Sequence, residues 1–234
     1  MKKKFLTLLC ILTLMITGCT KPTETPKTLQ YQNIQWGIHS DEVVSTLSLD
    51  SNDYHSRSPL QGIVCDYEIM GTVAEEVVFL YRPVSYELQS ICVFYPDDAD
   101  MDAIKTQVIK QYGIPAKGYT VYIPGGLSSQ GENYDTTENG LPFQFFPTDS
   151  HTTYWVGTDT LSLCFDKTMI DTYIEKTTEI NSKIPRKLLS EYVETQQATY
   201  IFWTDNYGDA LHTSKHKNAL IFSGEPYVSV AAYQ

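Results

Sequence analysis

The run Ile63-Val64-Cys65-Asp66-Tyr67-Glu68-Ile69-Met70-Gly71-Thr72-Val73-Ala74-Glu75-Glu76-Val77-Val78-Phe79-Leu80-Tyr81 decides the fold, together with residues 88–95 beyond Pro83. Ile63, Cys65, Tyr67 and Ile69 alternate with more polar neighbours, the period of a strand with one face buried. Gly71-Thr72 can turn the chain, residues 77–81 are bulky strand formers, and residues 88–95 make a third run. Connections this short favour antiparallel neighbours, so the stretch predicts a β-meander.

Working outward, the flanks are helical. Upstream, Ile34-Gln35-Trp36-Gly37 reads as a short extended segment. Ser40 is then offered as an N-cap, with Asp41 and Glu42 in the first turn and Val43, Val44 and Leu47 as an apolar face. This predicts a helix over 41–48, followed by a polar, turn-rich stretch over 50–59. Downstream, Pro96-Asp97-Asp98 ends the sheet. Met101, Ile104, Val108 and Ile109 mark a helix over 99–112 that stops at Gly113 before Pro115. The fold class is α+β, with antiparallel β-meanders and helices packed on one face.

Residues 117–151 read as an insertion. It holds five of the chain's 13 glycines. Strands are predicted over 119–123 and 143–146, with a polar loop over 124–140 between them. Its aromatic residues Tyr119, Tyr122, Phe143, Phe145 and Phe146, with Tyr154 just beyond, are the candidate ligand-contacting patch. The competing expectation is that Phe143 and Phe145 simply cover the core.

In the last part, residues 153–156 and 161–165 flank Gly157-Thr158-Asp159 and predict a hairpin. Ile170, Tyr173, Ile174, Thr177, Ile180, Ile184, Leu188 and Tyr192 keep a helical period interrupted by Pro185. A kink or two helices, over about 168–182 and 186–197, is therefore expected. A strand over 199–203, a polar loop over 205–218 and a final hairpin around Gly224-Glu225-Pro226 complete the chain. Residues 31–234 read as one α+β domain, or as two sub-units, 31–115 and 152–234, joined by the insertion.

The N-terminus carries the most specific signal. Lys2, Lys3 and Lys4 precede an uncharged run over 5–17, which ends in Ile16-Thr17-Gly18-Cys19. Thirteen residues are too few for a spanning helix, which needs ~20, and suit the core of an export signal. The segment resembles the lipobox of bacterial lipoproteins. The resemblance implies cleavage after Gly18 by signal peptidase II, fatty acylation of Cys19 with palmitate-type chains, and a domain held outside the cytoplasm on the cell envelope. Residues 1–18 would leave as the signal peptide. Residues 19–30, rich in Thr and Pro, would form the acylated end and a flexible tether.

Trp36-Gly37, Asp41-Glu42-Val43 and the helix ending Tyr112-Gly113-Ile114-Pro115 together resemble small lipoprotein domains of the BamE/SmpA and β-lactamase-inhibitor-protein kind. The match spans about a third of the chain. It implies helices on one face of an antiparallel sheet and a role in binding other proteins.

Charge and motifs narrow the function classes. Without residues 1–18, 14 basic and 28 acidic residues remain, a net of −14. Nucleic acid is therefore not an expected partner, because phosphate binding needs clustered Lys and Arg. Cys65, Cys92 and Cys164 allow at most one disulfide, and all three read as small buried side chains. His212 and His216 have i,i+4 spacing but polar loop neighbours, and read as solvated. Asp98, Asp100 and Asp102 read as helix caps rather than calcium ligands, since the turn-making Gly and distal Glu of a calcium loop are missing. Glu75-Glu76 reads as a strand pair with one acid to solvent. Gly125 to Gly131 does not have the lysine of a phosphate loop.

No cofactor or metal is expected. The partners expected are the membrane, through acylated Cys19, and an envelope protein or small ligand. The chain reads as a non-enzymatic binding or assembly module. An envelope or glycan hydrolase with a carboxylate pair and a solute-capturing lipoprotein are the alternatives.

Overall fold

The computed structural model describes residues 28–50, 52–82, 85–123, 135–180, 182–208 and 216–224. The expected export signal, most of the expected tether, the expected loop over 124–134, His212 and the expected last strand over 227–233 lie outside the described residues.

The fold is α+β, as the meander predicts. Strands β1 (His55–Ser58), β2 (Gln61–Ile69), β3 (Thr72–Tyr81) and β4 (Leu88–Tyr95) are sequential antiparallel neighbours. The β2–β3 turn falls on Met70-Gly71, one residue earlier than expected. Both have positive φ, 55° and 76°, which a tight two-residue hairpin turn requires. β1 replaces part of the expected polar turn: His55 pairs with Ile63 and extends the sheet edge.

After β4 the chain makes helix α2 (Met101–Tyr112), the counterpart of the earlier α1 (Ser40–Thr46). Asp100 caps α2, accepting from Ala103 N at 2.9 Å, and Gly113 (φ 87°) ends it, so the sequence signals and the structure agree. At α1 the cap is His39 rather than Ser40: the imidazole Nδ1 accepts from Asp41 N at 3.4 Å. Trp36 and Gly37 form a turn, and residues 34–35 lie in neither strand nor helix, so the expected extended segment does not become a strand.

A small second sheet holds β5 (Gly118–Tyr122), β6 (Asp135–Thr136) and β7 (Pro142–Pro147), in the order β5-β7-β6. The chain then returns to the main sheet as β8 (Thr152–Val156). The expected hairpin between 153–156 and 161–165 does not form. Leu161–Cys164 is instead a single helical turn, α3, with Leu161 buried and Leu161 N bonded to Gln196 O. β8 pairs instead with β9 (Thr199–Thr204), which lies beyond α4 (Lys167–Ile180) and α5 (Arg186–Thr195). Pro185 caps α5, so the proline separates two helices instead of kinking one.

β10 (Asn218–Gly224) closes the architecture. It lies between β4 and β9, giving the order β1-β2-β3-β4-β10-β9-β8, antiparallel throughout. The two halves of the chain therefore share one sheet and one core. That core joins Val43 of α1 and Leu47 just after it, Ile104 and Val108 of α2, and Phe79 and Val93 of the meander to Trp155, Ile201, Trp203, Leu220 and Phe222 from the second half. Burying each such side chain contributes about 1.5–3 kcal/mol. Leu29 is part of the same core, so the packed body begins within the last residues of the expected tether.

α3, α4 and α5 form a second cluster around Leu161, Ile174, Leu189 and Val193, which takes in Leu141 before β7. On the other face of the main sheet, Ile63, Val78, Cys92, Phe94 and Ala219 form a third, smaller cluster. His216 packs there. It is not a solvated loop residue: it stacks on Phe94 at 4.5 Å and is 8% exposed, with Glu75 and Glu76 each 3.7 Å from its ring nitrogens. Glu75 faces solvent while Glu76 is mostly covered and meets Arg57 at 3.7 Å. The three described cysteines are free. Cys92 is buried as expected, but Cys65 and Cys164 are exposed. Among the described residues, no helix is long and apolar enough to cross a membrane.

Candidate functional site

The structure divides the predicted aromatic patch between two faces of the small sheet. Tyr119 pairs with Phe146, and Tyr122 with Phe143, across β5 and β7. Alternation puts Tyr119 and Phe146 on one face and Tyr122, Phe143 and Phe145 on the other. Tyr119 is buried and stacks on Tyr200 at 4.4 Å and Tyr154 at 6.2 Å, attaching the small sheet to the main one. Tyr122 meets Phe143 at 5.8 Å beside the helical cluster. Phe145 is the most open of the set, 49% exposed. Gln196 holds this junction together from the end of α5. Its side-chain N–H donates to the Tyr119 hydroxyl and its carbonyl accepts from Tyr122 N, both at 2.9 Å.

A cleft of about 290 Å³ lies where the chain enters the folded body. Leu29 is fixed there: its N–H donates to Thr199 Oγ1 at 2.9 Å, and its carbonyl accepts from the Trp36 indole at 2.7 Å. The Trp36 ring lies over Gly224 at the end of β10, where any Cβ would run into the indole. Glycine is needed for this close approach.

Trp36, Leu163 and Phe165 supply the apolar wall of the cleft, and Asp159 its carboxylate. Thr28 Oγ1 donates to Asp159 Oδ2 at 3.3 Å. Leu163 is 71% exposed, unusual for a leucine on a short ordered helix. Cys164 lines the rim. Partial burial raises its thiol pKa, and the Asp159 charge adds to this, against a hydrogen bond from Thr28. The cleft thus pairs an apolar wall with one negative group, a composition suited to an apolar side chain carried next to a basic one. Among the described residues, no group of three or more His, Cys, Asp or Glu is placed to hold a metal ion.

Compared with family models, curated proteins and solved structures, the chain matches none.

Sequence reasoning did not find this cleft. Its residues come from the N-terminal segment, α3, β9 and β10, and they carry no common motif. Leu163 and Phe165 read as strand, and Asp159 as part of a turn.

Proposed function

We propose that the protein is a membrane-anchored envelope lipoprotein and a non-enzymatic binding module, with the cleft at the start of its folded body as its working surface. One observation carries this reading. Thr28 lines the cleft, and it follows Cys19 by nine residues. Nine residues span at most about 30 Å. An acylated Cys19 would hold the cleft within that distance of the bilayer, facing partners that sit in or on it. The exposed Leu163, the Trp36 ring and Asp159 suit a protein partner that presents an apolar residue beside a lysine or arginine. The net charge of −14 on the processed chain favours the same kind of partner.

Photocrosslinking in intact cells tests this. A photoreactive residue replaces Leu163, and in a second strain Ile180, which is also exposed and is the last residue of α4, a helix about 20 Å long that follows α3. One discrete adduct is expected from position 163 and none from 180, and Asp159→Lys should abolish it. An adduct that survives Asp159→Lys, or equal crosslinking from both positions, overturns the cleft as the working surface.

A further inference from the structure

We propose that a second groove, at the tip of the β2–β3 hairpin, binds an extended polypeptide segment through its backbone. The groove has a volume of about 520 Å³ and lies between that tip, the N-terminal segment and α2. It does not rest on the lipid anchor or on the cleft described above.

Three primary amides face it: Gln32 from the N-terminal segment, and Gln107 and Gln111 from α2. Two of these, both exposed, are each tied by one hydrogen bond to a neighbouring tyrosine. Gln32 Nε2 donates to the Tyr31 hydroxyl at 2.8 Å, and Gln111 Nε2 to the Tyr112 hydroxyl at 3.0 Å. Tyr112 in turn donates to Gln30 O at 2.9 Å. Both tyrosines are buried and pack on Phe222, with centroids at 5.2 and 6.0 Å. Each fixed amide has one remaining N–H and a carbonyl oxygen that no described residue uses.

A side-chain amide fixed in this way offers one donor and one acceptor side by side. A residue in an extended chain presents its own N–H and C=O on the same side, with the complementary pattern. Two fixed amides on different elements can therefore engage two residues of one strand. The bond to each tyrosine restrains its glutamine and so removes part of the entropy lost on binding.

The hairpin is shaped for the same end. Between the pairs Cys65–Glu76 and Tyr67–Ala74 the ladder omits Asp66, whose φ is 53°. Val64 and Ile69 differ in parity yet enter the same core, so the strand turns over at Asp66 and brings its tip towards α2. Gln32 also has a positive φ, 51°, whereas that of Met70 is set by the hairpin turn. Non-glycine residues in that region are uncommon, and they cluster where a surface is built to receive a ligand.

Glu68 and Lys110 put one charge of each sign on the rim, so the groove favours neither acidic nor basic sequences. A sugar would need an open aromatic face to stack on. Tyr31 and Tyr112 are each only 4% exposed, which favours the peptide.

The test uses the full chain in detergent and a fluorescein-labelled decapeptide of alternating threonine and lysine, followed by anisotropy. Saturable binding is expected. The Gln32→Ala/Gln111→Ala double variant should weaken it at least about tenfold, since two pairs of hydrogen bonds are lost. A depsipeptide with the same side chains, with esters in place of alternate amides, should lose a similar factor. Circular dichroism checks the fold of the variant, and Gln32→Glu, which keeps the size and loses the donor, should weaken binding by an intermediate amount. Equal binding of peptide and depsipeptide, an unaffected double variant, or displacement of the peptide by chitotetraose overturns the proposal.

Discussion

Trp155 and Trp203 clamp opposite ends of one helix. The Trp203 indole donates to Met101 O at 3.0 Å, at the first residue of α2, and the Trp155 indole donates to Gly113 O at 2.9 Å, just past the last. The helix belongs to the first half of the chain and both indoles to the second. Both are buried, at 0% and 2% exposure, and the Lys105 ammonium sits 4.3 Å over the Trp203 ring. This clamp, with the β4–β10 ladder, makes a single body of two stretches that local sequence treats separately.

The two ends of the clamp are unequal, which gives a prediction. Met101 O also lies within reach of the helix's own amides, whereas a carbonyl past the last turn has no helical donor. Trp155→Phe should therefore cost more than Trp203→Phe, about 1–3 kcal/mol for the orphaned carbonyl on top of any packing loss. Urea midpoints would measure the difference. Fluorescence and far-UV circular dichroism should trace coincident transitions for the wild type, as for one cooperative unit. The reverse order of the two variants, or two separated transitions, would refute the clamp.

Gln196→Leu keeps the bulk of a residue that is 1% exposed and removes both partners that hold β5. The Tyr119 hydroxyl and Tyr122 N–H lose their bonds at the same time. The expected loss is about 1–3 kcal/mol, chiefly from the partly buried Tyr122 N–H, which loses its side-chain acceptor. Hydrogen exchange should rise first at residues 118–122. Unchanged protection there would show that the stacking of Tyr119 on Tyr200 is sufficient to hold the small sheet.

Alkaline pH should destabilise the fold. Burial pushes the Cys92 thiol from its ordinary 9.0 up to about 12. Burial foremost also raises the Tyr31, Tyr81, Tyr95 and Tyr112 hydroxyls well above their ordinary 10.0. In each case the folded state keeps its proton where the unfolded state has lost it. This contribution is complete below about pH 9 and declines as pH rises towards 12. Urea midpoints measured from pH 8 to pH 11 should fall, most steeply above 10. At pH 8, a maleimide should modify Cys65 and Cys164 in the folded protein and reach Cys92 only after unfolding.

Cys19→Ala should release the protein from membrane pellets and abolish labelling by an alkyne fatty acid. Two acyl chains hold a protein far more firmly than one. Continued labelling, or a wild-type chain found in the culture medium without acyl mass, would sink the lipoprotein reading.

The alternation of Ile63, Cys65, Tyr67 and Ile69, the 3.6-residue period of Met101, Ile104 and Val108, the Asp100 cap, the Gly113 stop and the break at Pro185 were all legible in the sequence. Each is enforced within a few residues by backbone geometry. Where reading failed, distant contacts outweighed local preference. Residues 161–165 look like a strand, yet Leu161 turns into the helical cluster and Thr160 bridges Gln197. His216 lies in polar sequence, yet it stacks on Phe94, which is more than a hundred residues away.

By itself the sequence determined most of the elements and the antiparallel meander, and it carries a charged, apolar and Cys19 pattern that resembles an export signal, because each is written in neighbouring residues. Only the tertiary structure decided that β10 inserts between β4 and β9 and that the aromatic residues of the insertion divide between two faces. The same holds for the cleft, in which Thr28, Trp36, Asp159, Leu163 and Gly224 meet. The reason is physical: which surfaces close on one another depends on the fit of side chains far apart along the chain, and no local period encodes that fit.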